Sequence, residues 1–458
     1  MSLFQKSYAK SSAGQNSDDK IQIALDIGSS KIRLIAGRVE HDKTVEIIGY
    51  KETLSRGVSK GAVTDISELS ATIAELIRAF NEEYGIEVKH LTVGVPSCFS
   101  AAENQEGNAL IPTGIVSEED RDQVIKSAKM GVQTLNESNY KIIHVIPQNF
   151  ITETSSEIKN PVGQYAKKLS ASVHFIGVKH SHLNNIRSVL NMVDPNIVID
   201  SEVNCDNAAS DAVLTESEKE IGVCHIDIGK GTVGVSVFDK KCRIFSFGFT
   251  DGGVFIDDEI ARSFGIRMSQ AEKVRIYSGM CVNDSYSPDQ LIPVKAITAV
   301  GQRTVEVELN LSQNLLNSLI YLRFVNIFRR VSQRIESLVN QYRKGEGLNL
   351  GAGFVITGGL AHTPGIMTAL EMVIFNKEEN SEPYGNRKFR IGFPRGISVV
   401  EGGPNIQEML YADKSVVIGL LRCAKDDSEN YLNDKRNRRT SKRKGWLEQA
   451  REWINREF

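Results

Sequence analysis

The same strand–turn–strand pattern occurs twice in this chain of 458 residues, about 200 residues apart, and it constrains the fold more than any other feature. Each copy contains an apolar run, a turn that begins Asp-Ile-Gly, a second alternating run and a third strand. The copies cover residues 21–50 and 222–249. Because each unit has to bury a face of its sheet, two copies predict duplicated α/β halves that face each other across a ligand cleft.

The two Asp-Ile-Gly turns have the composition of a phosphate site. A polyphosphate with magnesium requires backbone N–H groups, small residues that allow close approach, and carboxylates for a hydrated cation. Asp26 and Asp227 end the preceding strands and are the predicted Mg²⁺ ligands, through water. A single Asp-Gly turn is also common as plain punctuation, but the duplication favours phosphate. The predicted phosphate contacts are Gly28, Ser29, Ser30 and Lys31 in the first turn and Gly229, Lys230, Gly231 and Thr232 in the second.

A third glycine-rich segment, residues 353–361, places Gly358 and Gly359 between a buried strand and a helix. Such a turn can accept a flat base or a ribose at close range, and the alternative is an ordinary strand-to-helix turn. Neither GxxxxGK[ST] nor a GxGxxG motif after a strand occurs, which disfavours P-loop and Rossmann folds.

Hydrophobic spacing predicts the remaining elements. Residues 67–84 are typical of a helix with a Ser cap, and residues 309–342 of a long helix. Between the first helix and a strand at 173–178 lie two strand candidates and a helix that opens at Ser117, enough for a small inserted subdomain. The pattern over 279–302 is weak. The strand candidates of the insert are 91–96 and 142–147, and a further strand is predicted at 353–357.

The net charge of −2 combines two unlike parts of the chain. Residues 435–458 hold nine Lys or Arg and three Asp or Glu, a net charge of +6, so the rest carries −8. An acidic body gives no reason to expect a nucleic-acid partner. The six cysteines form no CxxC pair, so neither a zinc knuckle nor a disulfide framework is indicated.

The C-terminal tail has the composition of a membrane-surface anchor. Residues 425–444 read as a polar linker whose last ten residues include seven basic side chains and no acidic one. Residues 445–458 would form a helix about 21 Å long, too short to cross a hydrocarbon core of about 30 Å. This helix is predicted to lie in the surface of an anionic membrane, and docking on the body or on a partner protein is the alternative. Its apolar arc is Trp446, Leu447, Ala450, Trp453, Ile454 and Phe458.

The Asp-Ile-Gly turns and the Gly358-Gly359 turn resemble the phosphate and adenosine motifs of the actin, Hsp70 and sugar-kinase superfamily. Within it, residues 21–424 resemble the FtsA family of bacterial cell-division proteins. The segments that carry this second resemblance are 55–61, 144–148, 159–163 and 222–224, in family order.

The resemblance implies an actin-like fold of four subdomains that binds ATP and Mg²⁺. The implied segments are a disordered tail at 1–20, subdomain 1A at 21–84 and 166–204, an inserted subdomain 1C at 85–165, subdomain 2A at 205–265, subdomain 2B at 266–345, the rest of 2A with a return to 1A at 346–424, a basic linker at 425–444 and a membrane-targeting helix at 445–458.

It also implies a function. Members of the family polymerise, tether the FtsZ ring to the cytoplasmic face of the inner membrane at the division site, and signal to late division proteins such as FtsN. Carried over by motif, Glu272 and Arg275 flank the nucleoside, and Gly252 and Gly253 form another turn at the cleft.

Two departures from the family pattern affect the second turn. It has Gly229-Lys230-Gly231 where three glycines are usual, and Val233-Gly234 where a hydrophobic residue and Asp are common. We therefore expect at most weak ATP hydrolysis. The segment 206–207 either orients the attacking water or caps a buried helix.

The competing class is an enzyme of the same fold, a small-molecule kinase or a chaperone-type ATPase. A kinase needs a general base and a substrate pocket, for which the sequence offers no convincing candidate. A chaperone needs a peptide-binding domain after the second half. Neither alternative predicts the lipid-seeking tail.

Overall fold

The structure is a computed structural model, which describes residues 21–283, 288–300, 303–343, 347–374 and 388–425. Among these residues, no helix is both long and apolar enough to span a membrane. The predictions of a disordered tail at 1–20 and of a linker after residue 425 lie outside the described residues, as does the helix at 445–458 with its apolar arc of Trp446, Leu447, Ala450, Trp453, Ile454 and Phe458.

The first half is built on a six-stranded mixed sheet in the order β10-β6-β1-β2-β3-β18. Helices α1 (Ile66–Tyr84) and α4 (His180–Val193) cover one face, where fully buried Phe80 and Val189 join the apolar side chains of β1 and β2. The predicted hairpin is confirmed, and the third strand extends further than predicted, to Leu54. The strands are β1 (Gln22–Ile27), β2 (Lys31–Val39), β3 (Val45–Leu54), β6 (His90–Val95), β10 (Val198–Asn204) and β18 (Ile397–Val399), with a small ribbon of β4 (Val58–Ser59) and β5 (Ala62–Val63) beside them.

The second half repeats this arrangement in the order β13-β12-β11-β16-β17. As in the first half, a hairpin and a third antiparallel strand lie on one side, and a parallel strand pairs with the first strand of the hairpin. The predicted duplication is therefore confirmed. The strands are β11 (Val223–Ile228), β12 (Val233–Asp239), β13 (Cys242–Phe249), β16 (Gly353–Thr357) and β17 (Phe389–Ile391).

Two helices, α5 (Cys205–Val213) and α12 (Ser415–Lys425), pack between the two sheets. Their buried side chains share one apolar cluster with Ile35 of the first sheet and Val355 of the second. This common core joins the two halves below the cleft. Lys425, the first residue of the predicted linker, is the last residue of α12.

The helical part of the second half contains the long helix α9 (Gln313–Tyr342). It begins four residues later than predicted because residues 309–312 continue a strand and Ser312 caps the helix. The weakly patterned stretch 279–302 contains the whole first strand of a two-stranded ribbon. The other elements are α6 (Glu216–Ile221), α7 (Gly253–Phe264), α8 (Met268–Ser278), β14 (Leu291–Val300), β15 (Arg303–Ser312), α10 (Ile366–Ile374) and α11 (Ile406–Met409).

The insert is a three-stranded antiparallel sheet in the order β7-β9-β8, with α2 (Glu118–Met130) packed on it. Ser117 caps α2 in a capping box with Asp120, as the acidic first turn predicted. Two strands depart from the predicted limits of the insert, 85–165. Strand β6 lies within these limits but pairs with β1 of the first sheet, and β9 lies outside them but belongs to the insert sheet. The insert strands are β7 (Ser100–Leu110), β8 (Tyr140–Ile151) and β9 (Lys168–Lys179), and a short helix α3 (Thr134–Glu137) precedes β8.

One predicted cap is wrong. Helix α1 begins at Ile66, and the carboxylate of Asp65, not a serine, accepts from the Glu68 N–H at 2.9 Å. Asp and Ser cap helices about equally well, so composition alone could not separate them.

Candidate functional site

The two Asp-Ile-Gly turns lie against each other between the two halves. Each is closed by one backbone hydrogen bond, from the Gly28 N–H at 3.1 Å and from the Gly229 N–H at 2.9 Å, to the carbonyl three residues on. The tips are so close that a Cβ added to Gly231 would stand 2.3 Å from the Ser29 Oγ. The structure thus brings the two predicted phosphate turns together at one place.

The tips of both turns carry donors that no protein group uses. Within the described residues, the backbone N–H groups of Ser29, Ser30, Lys230 and Gly231 have no acceptor. Consecutive turn N–H groups of this kind form anion-binding concavities. The Ser29 hydroxyl accepts from the Gly61 N–H at 2.8 Å and so keeps its own proton for a ligand. These donors fit a phosphate chain.

Two carboxylates, Asp26 and Asp227, line the cleft beside these tips. Burial raises the pKa of Asp26, while the adjacent Arg33 opposes the rise. Burial also raises the pKa of Asp227 to about 6; His225 opposes this rise, and the charges of Asp206 and Asp26 add to it. Two carboxylates whose ionised forms burial disfavours are costly at one site without a nearby cation.

No cluster of three or more His, Cys, Asp or Glu side chains in the described part of the chain could hold a metal ion alone. A cation at Asp26 and Asp227 would therefore complete its shell with water and phosphate oxygens. Mg²⁺ is usually held in this way, by one or two carboxylates and the substrate phosphates. The donor set fits Mg²⁺ on a polyphosphate.

Asp227 is the outer end of a buried chain of hydrogen bonds. The Thr357 hydroxyl donates to its Oδ1 at 3.0 Å and lies 2.9 Å from the His225 Nε2. The His225 Nδ1 is 3.1 Å from the Asp206 Oδ1. The other Asp206 oxygen accepts from Ser236, which in turn accepts from Arg243 on β13. The chain holds Asp227 in one orientation.

Segment 206–207 was predicted either to cap a helix or to orient the attacking water. Neither role includes the hydrogen bonds that the Asp206 carboxylate makes with His225 and Ser236. The cap of α5 is Asn204, whose Oδ1 accepts from the N–H groups of Asp206 and Asn207, each at 3.1 Å. Asp206 is 1% exposed and lines the cleft with its partners behind it. The cap prediction was therefore displaced by two residues, and the water-orienting role stays a prediction.

The cations on the first side of the cleft are already paired. Lys31 contacts Glu52, which also accepts from Lys414 at 3.1 Å. Arg33 lies 2.7 Å from Asp413, 3.3 Å from Glu52 and 3.5 Å from Asp26. Burial alone would raise the pKa of Glu52, but hydrogen bonds from Lys31, the Tyr50 hydroxyl and Lys414 hold it at about 2. Lys31, predicted as a phosphate cation, faces the cleft from within this cluster.

Sequence reasoning missed Arg33, Glu52 and Asp413. A signal existed only for Arg33, because on a strand it shares a face with Lys31, two residues earlier. No local sequence pattern links Arg33 to Asp413, which is 380 positions further along the chain.

On the second side, Lys230 and Glu272 form an ion pair of 2.8 Å that lines the cleft. Arg275 also lines the cleft, but its guanidinium is bonded to Asp257 of α7, with its Nε 2.6 Å from the Oδ1. The two residues predicted to flank the nucleoside are thus both present at the cleft, each with a protein partner.

Gly358 and Gly359 also line the cleft. Gly358 has φ 87°, and a Cβ there would stand 2.5 Å from the Ile228 carbonyl oxygen and 2.8 Å from the Asp227 Oδ1. Gly359 has open space in the same position. Gly358 therefore packs directly against the strand end that leads into the second phosphate turn. The predicted adenosine turn and the second phosphate turn are neighbours in the cleft.

Gly252 and Gly253 lie behind the second turn and are not among the described residues that line the cleft. The Gly253 N–H donates to the Gly229 carbonyl at 3.1 Å, and the Val254 N–H to the Lys230 carbonyl at 2.7 Å. The start of α7 therefore fixes the backbone of this turn from outside the site.

The cleft encloses about 230 Å³, less than the 300–1,000 Å³ of a typical ligand pocket. A larger cavity of about 770 Å³ lies between the insert and β13, away from the phosphate turns. Cavity size and donor chemistry thus point to different places. The donor chemistry of the turns makes the cleft, rather than the larger cavity, the candidate functional site.

Two family models match this chain. The family model described as "Cell division protein FtsA" matches residues 224–413, and that described as "SHS2 domain inserted in FTSA" matches residues 100–177. The cell division protein FtsA of Escherichia coli K12 is 27% identical over 442 residues, covering 96% of this chain and 99% of that protein. The FtsA of Buchnera aphidicola subsp. Schizaphis graminum is 29% identical over 441 residues, covering 96% and 98%.

A solved structure of a PilM-PilN type IV pilus biogenesis complex has a TM-score of 0.59 at 12% identity, over 88% of this chain and 98% of that chain. This likeness concerns the fold alone. Two halves built on the same hairpin sheet, with a cleft of glycine-rich turns between them, define a protein of the actin-like class. Within that class, the chain belongs to the FtsA family of cell division proteins.

Proposed function

We propose that this chain binds ATP with Mg²⁺ in the cleft between its halves. The observation that carries the proposal is the pair of touching turns, whose unengaged N–H groups lie beside Asp26 and Asp227. The tip N–H groups would hold the phosphates, the carboxylates the hydrated cation, and Gly358 with Gly359 the adenosine. Bound Mg²⁺ would supply charge neutralisation of the phosphate chain.

Hydrolysis is proposed to be weak at most. Position 234 is glycine, and a Cβ there would already stand 3.0 Å from the Asp206 Cβ and 3.1 Å from the Ser97 Oγ. The chain therefore has no carboxylate at this place beside the second turn. Nucleotide binding, rather than turnover, is the role of the cleft.

Calorimetric titration with ATP and Mg²⁺ tests the binding. Asp227→Asn should weaken binding at least tenfold, because it removes the charge of one cation ligand. Asp200→Asn, an exposed carboxylate on β10, is the matched control and should bind like the wild type. Absence of binding by the wild type would refute the proposal, and equal binding by all three proteins would refute the role of Asp227.

In the cell, the chain is proposed to act as a polymerising adaptor. It would tether the FtsZ ring to the cytoplasmic face of the inner membrane at the division site, and help to recruit late division proteins such as FtsN. Membership of the FtsA family supports this role, and so does the composition of the C-terminal tail. Polymerisation would let many weak tails bind lipid together.

Sedimentation with anionic liposomes, with and without FtsZ, tests the tether. Trp453→Glu should abolish liposome binding, because it places a charge on the apolar arc of the predicted tail helix. Asn455→Glu adds the same charge on the opposite arc and is the control, which should lose at most a few-fold. FtsZ should sediment only when an adaptor with an intact arc is present. Unchanged sedimentation of Trp453→Glu would refute the membrane role of this helix.

A further inference from the structure

Lys230 occupies the tip of the second turn on a fixed backbone. Its carbonyl accepts from the Val254 N–H at 2.7 Å, and the carbonyl of Gly229 accepts from Gly253 at 3.1 Å. A Cβ on Gly252 would stand 2.8 Å from the Lys230 carbonyl oxygen, so α7 presses directly on the turn. The side chain of Lys230 can therefore change partner without any movement of its main chain.

The ion pair that Lys230 makes is more exposed than the ion pairs of the two arginines at the cleft. Lys230 and Glu272 are each 28% exposed, and surface pairs of this kind contribute little. In contrast, Arg275 is 8% exposed against an Asp257 that is 1% exposed, and Arg33 contacts three carboxylates. Lys31 is more exposed still, at 36%, but it belongs to the first turn and to a cluster of Glu52, Arg33 and Lys414. On the second turn, Lys230 is the cation placed to exchange its partner.

The phosphate positions lie within reach of this side chain. The unengaged N–H groups of Lys230 and Gly231 belong to the same turn tip, so a phosphate held by them lies next to the root of the Lys230 side chain. A phosphate oxygen is also a stronger electrostatic partner for Lys230 than a partly solvated carboxylate. The reason is that the phosphate chain of the nucleotide carries several negative charges and would lie next to Asp26 and Asp227. A cation at this tip offsets part of the charge that Mg²⁺ otherwise neutralises.

We propose that Lys230 is a phosphate-binding switch residue, which leaves Glu272 for the phosphate chain of the bound nucleotide and partly replaces Mg²⁺ there. The inference rests on the proposed ATP binding and adds a specific consequence. Binding of ATP should survive removal of Mg²⁺ better in this chain than in a variant without the lysine. Glu272 should act as a competitor of the phosphates.

Titration of the full-length protein with ATP, with Mg²⁺ and with EDTA, tests the switch. Lys230→Met keeps the length of the side chain and removes its charge. It should lower the Mg²⁺-free affinity about tenfold to a hundredfold, the loss expected for one hydrogen bond to a charged group, and the affinity with Mg²⁺ by at most about threefold. Lys273→Met, an exposed neighbour of Glu272, is the control and should match the wild type in both buffers.

Glu272→Gln separates competition from a direct contact with the nucleotide. If Glu272 competes with the phosphates for Lys230, its neutralisation frees Lys230. Glu272→Gln should therefore raise the affinity for ATP without Mg²⁺ a few-fold. This gain should vanish in the Lys230→Met/Glu272→Gln double variant. If Glu272 instead contacts the nucleoside directly, the single variant binds more weakly and the inference is overturned. Equal dependence on Mg²⁺ in the wild type and Lys230→Met also overturns it. Failure of the wild type to bind ATP with Mg²⁺ refutes the proposed function itself, and the inference with it.

Discussion

Replacement of Thr357 by valine tests whether the buried chain behind Asp227 stabilises the second half. Thr357 is fully buried at the end of β16, and valine has nearly the same shape, so no cavity arises. The change removes the hydroxyl that lies 2.9 Å from the His225 Nε2 and donates to Asp227 at 3.0 Å. The loss is therefore one of hydrogen bonding.

The loss of stability depends on how deeply the two hydrogen-bond partners of Thr357, His225 and Asp227, are buried. His225 is 0% exposed, so its Nε2 finds no water and carries the full penalty of an unsatisfied group, about 1–3 kcal/mol. Asp227 lines the cleft and regains water, so it loses only the net value of a bond, about 0.5–1.5 kcal/mol. Together these terms predict that the free energy of unfolding falls by about 2–4 kcal/mol.

Hydrogen exchange of the β11 and β16 amides is the appropriate assay, because a chain with several domains does not unfold in one step. Exchange through the opening of these strands should accelerate about thirtyfold to several hundredfold in Thr357→Val. Thr357→Ser retains the hydroxyl and should exchange much more slowly than the valine variant. If the valine variant exchanges like the wild type, the chain does not stabilise these strands and the reasoning is wrong.

Three further predictions concern buried charge, backbone conformation and pH. Arg275→Met should lower the free energy of unfolding by about 3–5 kcal/mol, since it leaves Asp257 charged and buried, and the Arg275→Met/Asp257→Leu double variant should recover most of this in urea denaturation. Gly358→Ala should lower the melting temperature and weaken ATP binding, because its φ is 87° and its Cβ would meet a carbonyl oxygen at 2.5 Å, whereas Gly359→Ala, with open space, should remain as stable as the wild type. Burial lowers the pKa of His144 and of His174 to about 3, with Arg243 acting in the same direction. The stability that these two histidines contribute is present above the ordinary histidine pKa of 6.5 and is lost as the pH falls towards 3. The urea midpoint should therefore drop between pH 7.5 and pH 5 by the equivalent of about 2 kcal/mol per histidine. A urea midpoint that does not change with pH would contradict this.

The parts of the site that sequence could predict are local. The strand, the Asp-Ile-Gly turn and the return strand lie within about 20 residues, and period-two alternation and turn composition define them without tertiary information. Their duplication then implied a cleft. The same reasoning placed Asp26, Asp227 and Gly358 together, and all three line one cleft, because each lies at the carboxyl end of a strand.

The partners of these residues could not be predicted. Arg33 and Asp413 are 380 positions apart, and His225 and Thr357 are 132 apart. The first pair meets only because the segment before α12 packs beside β2, and the second only because β11 pairs with β16. Sequence correctly indicated Lys31 and Arg275 as cations at the cleft. It could not indicate that Lys31 is paired with Glu52 and Arg275 with Asp257.

The insert illustrates the same limit and connects it to the cleft. Its sheet docks on β13 through polar contacts across the halves, among them the three that follow. The Gln148 side chain donates to the Arg243 carbonyl at 2.9 Å, the Asn104 side chain donates to the Ile244 carbonyl at 2.9 Å, and the His174 Nε2 is 3.0 Å from the Ser246 Oγ.

Arg243 is therefore shared by two assemblies. Its backbone holds the insert, while its guanidinium supports the Ser236 and Asp206 end of the chain that reaches Asp227. A strand displaced at this residue would disturb both at once, because buried hydrogen bonds cannot be remade with water. Arg243 thus contacts both the insert and the chain of hydrogen bonds that ends at Asp227.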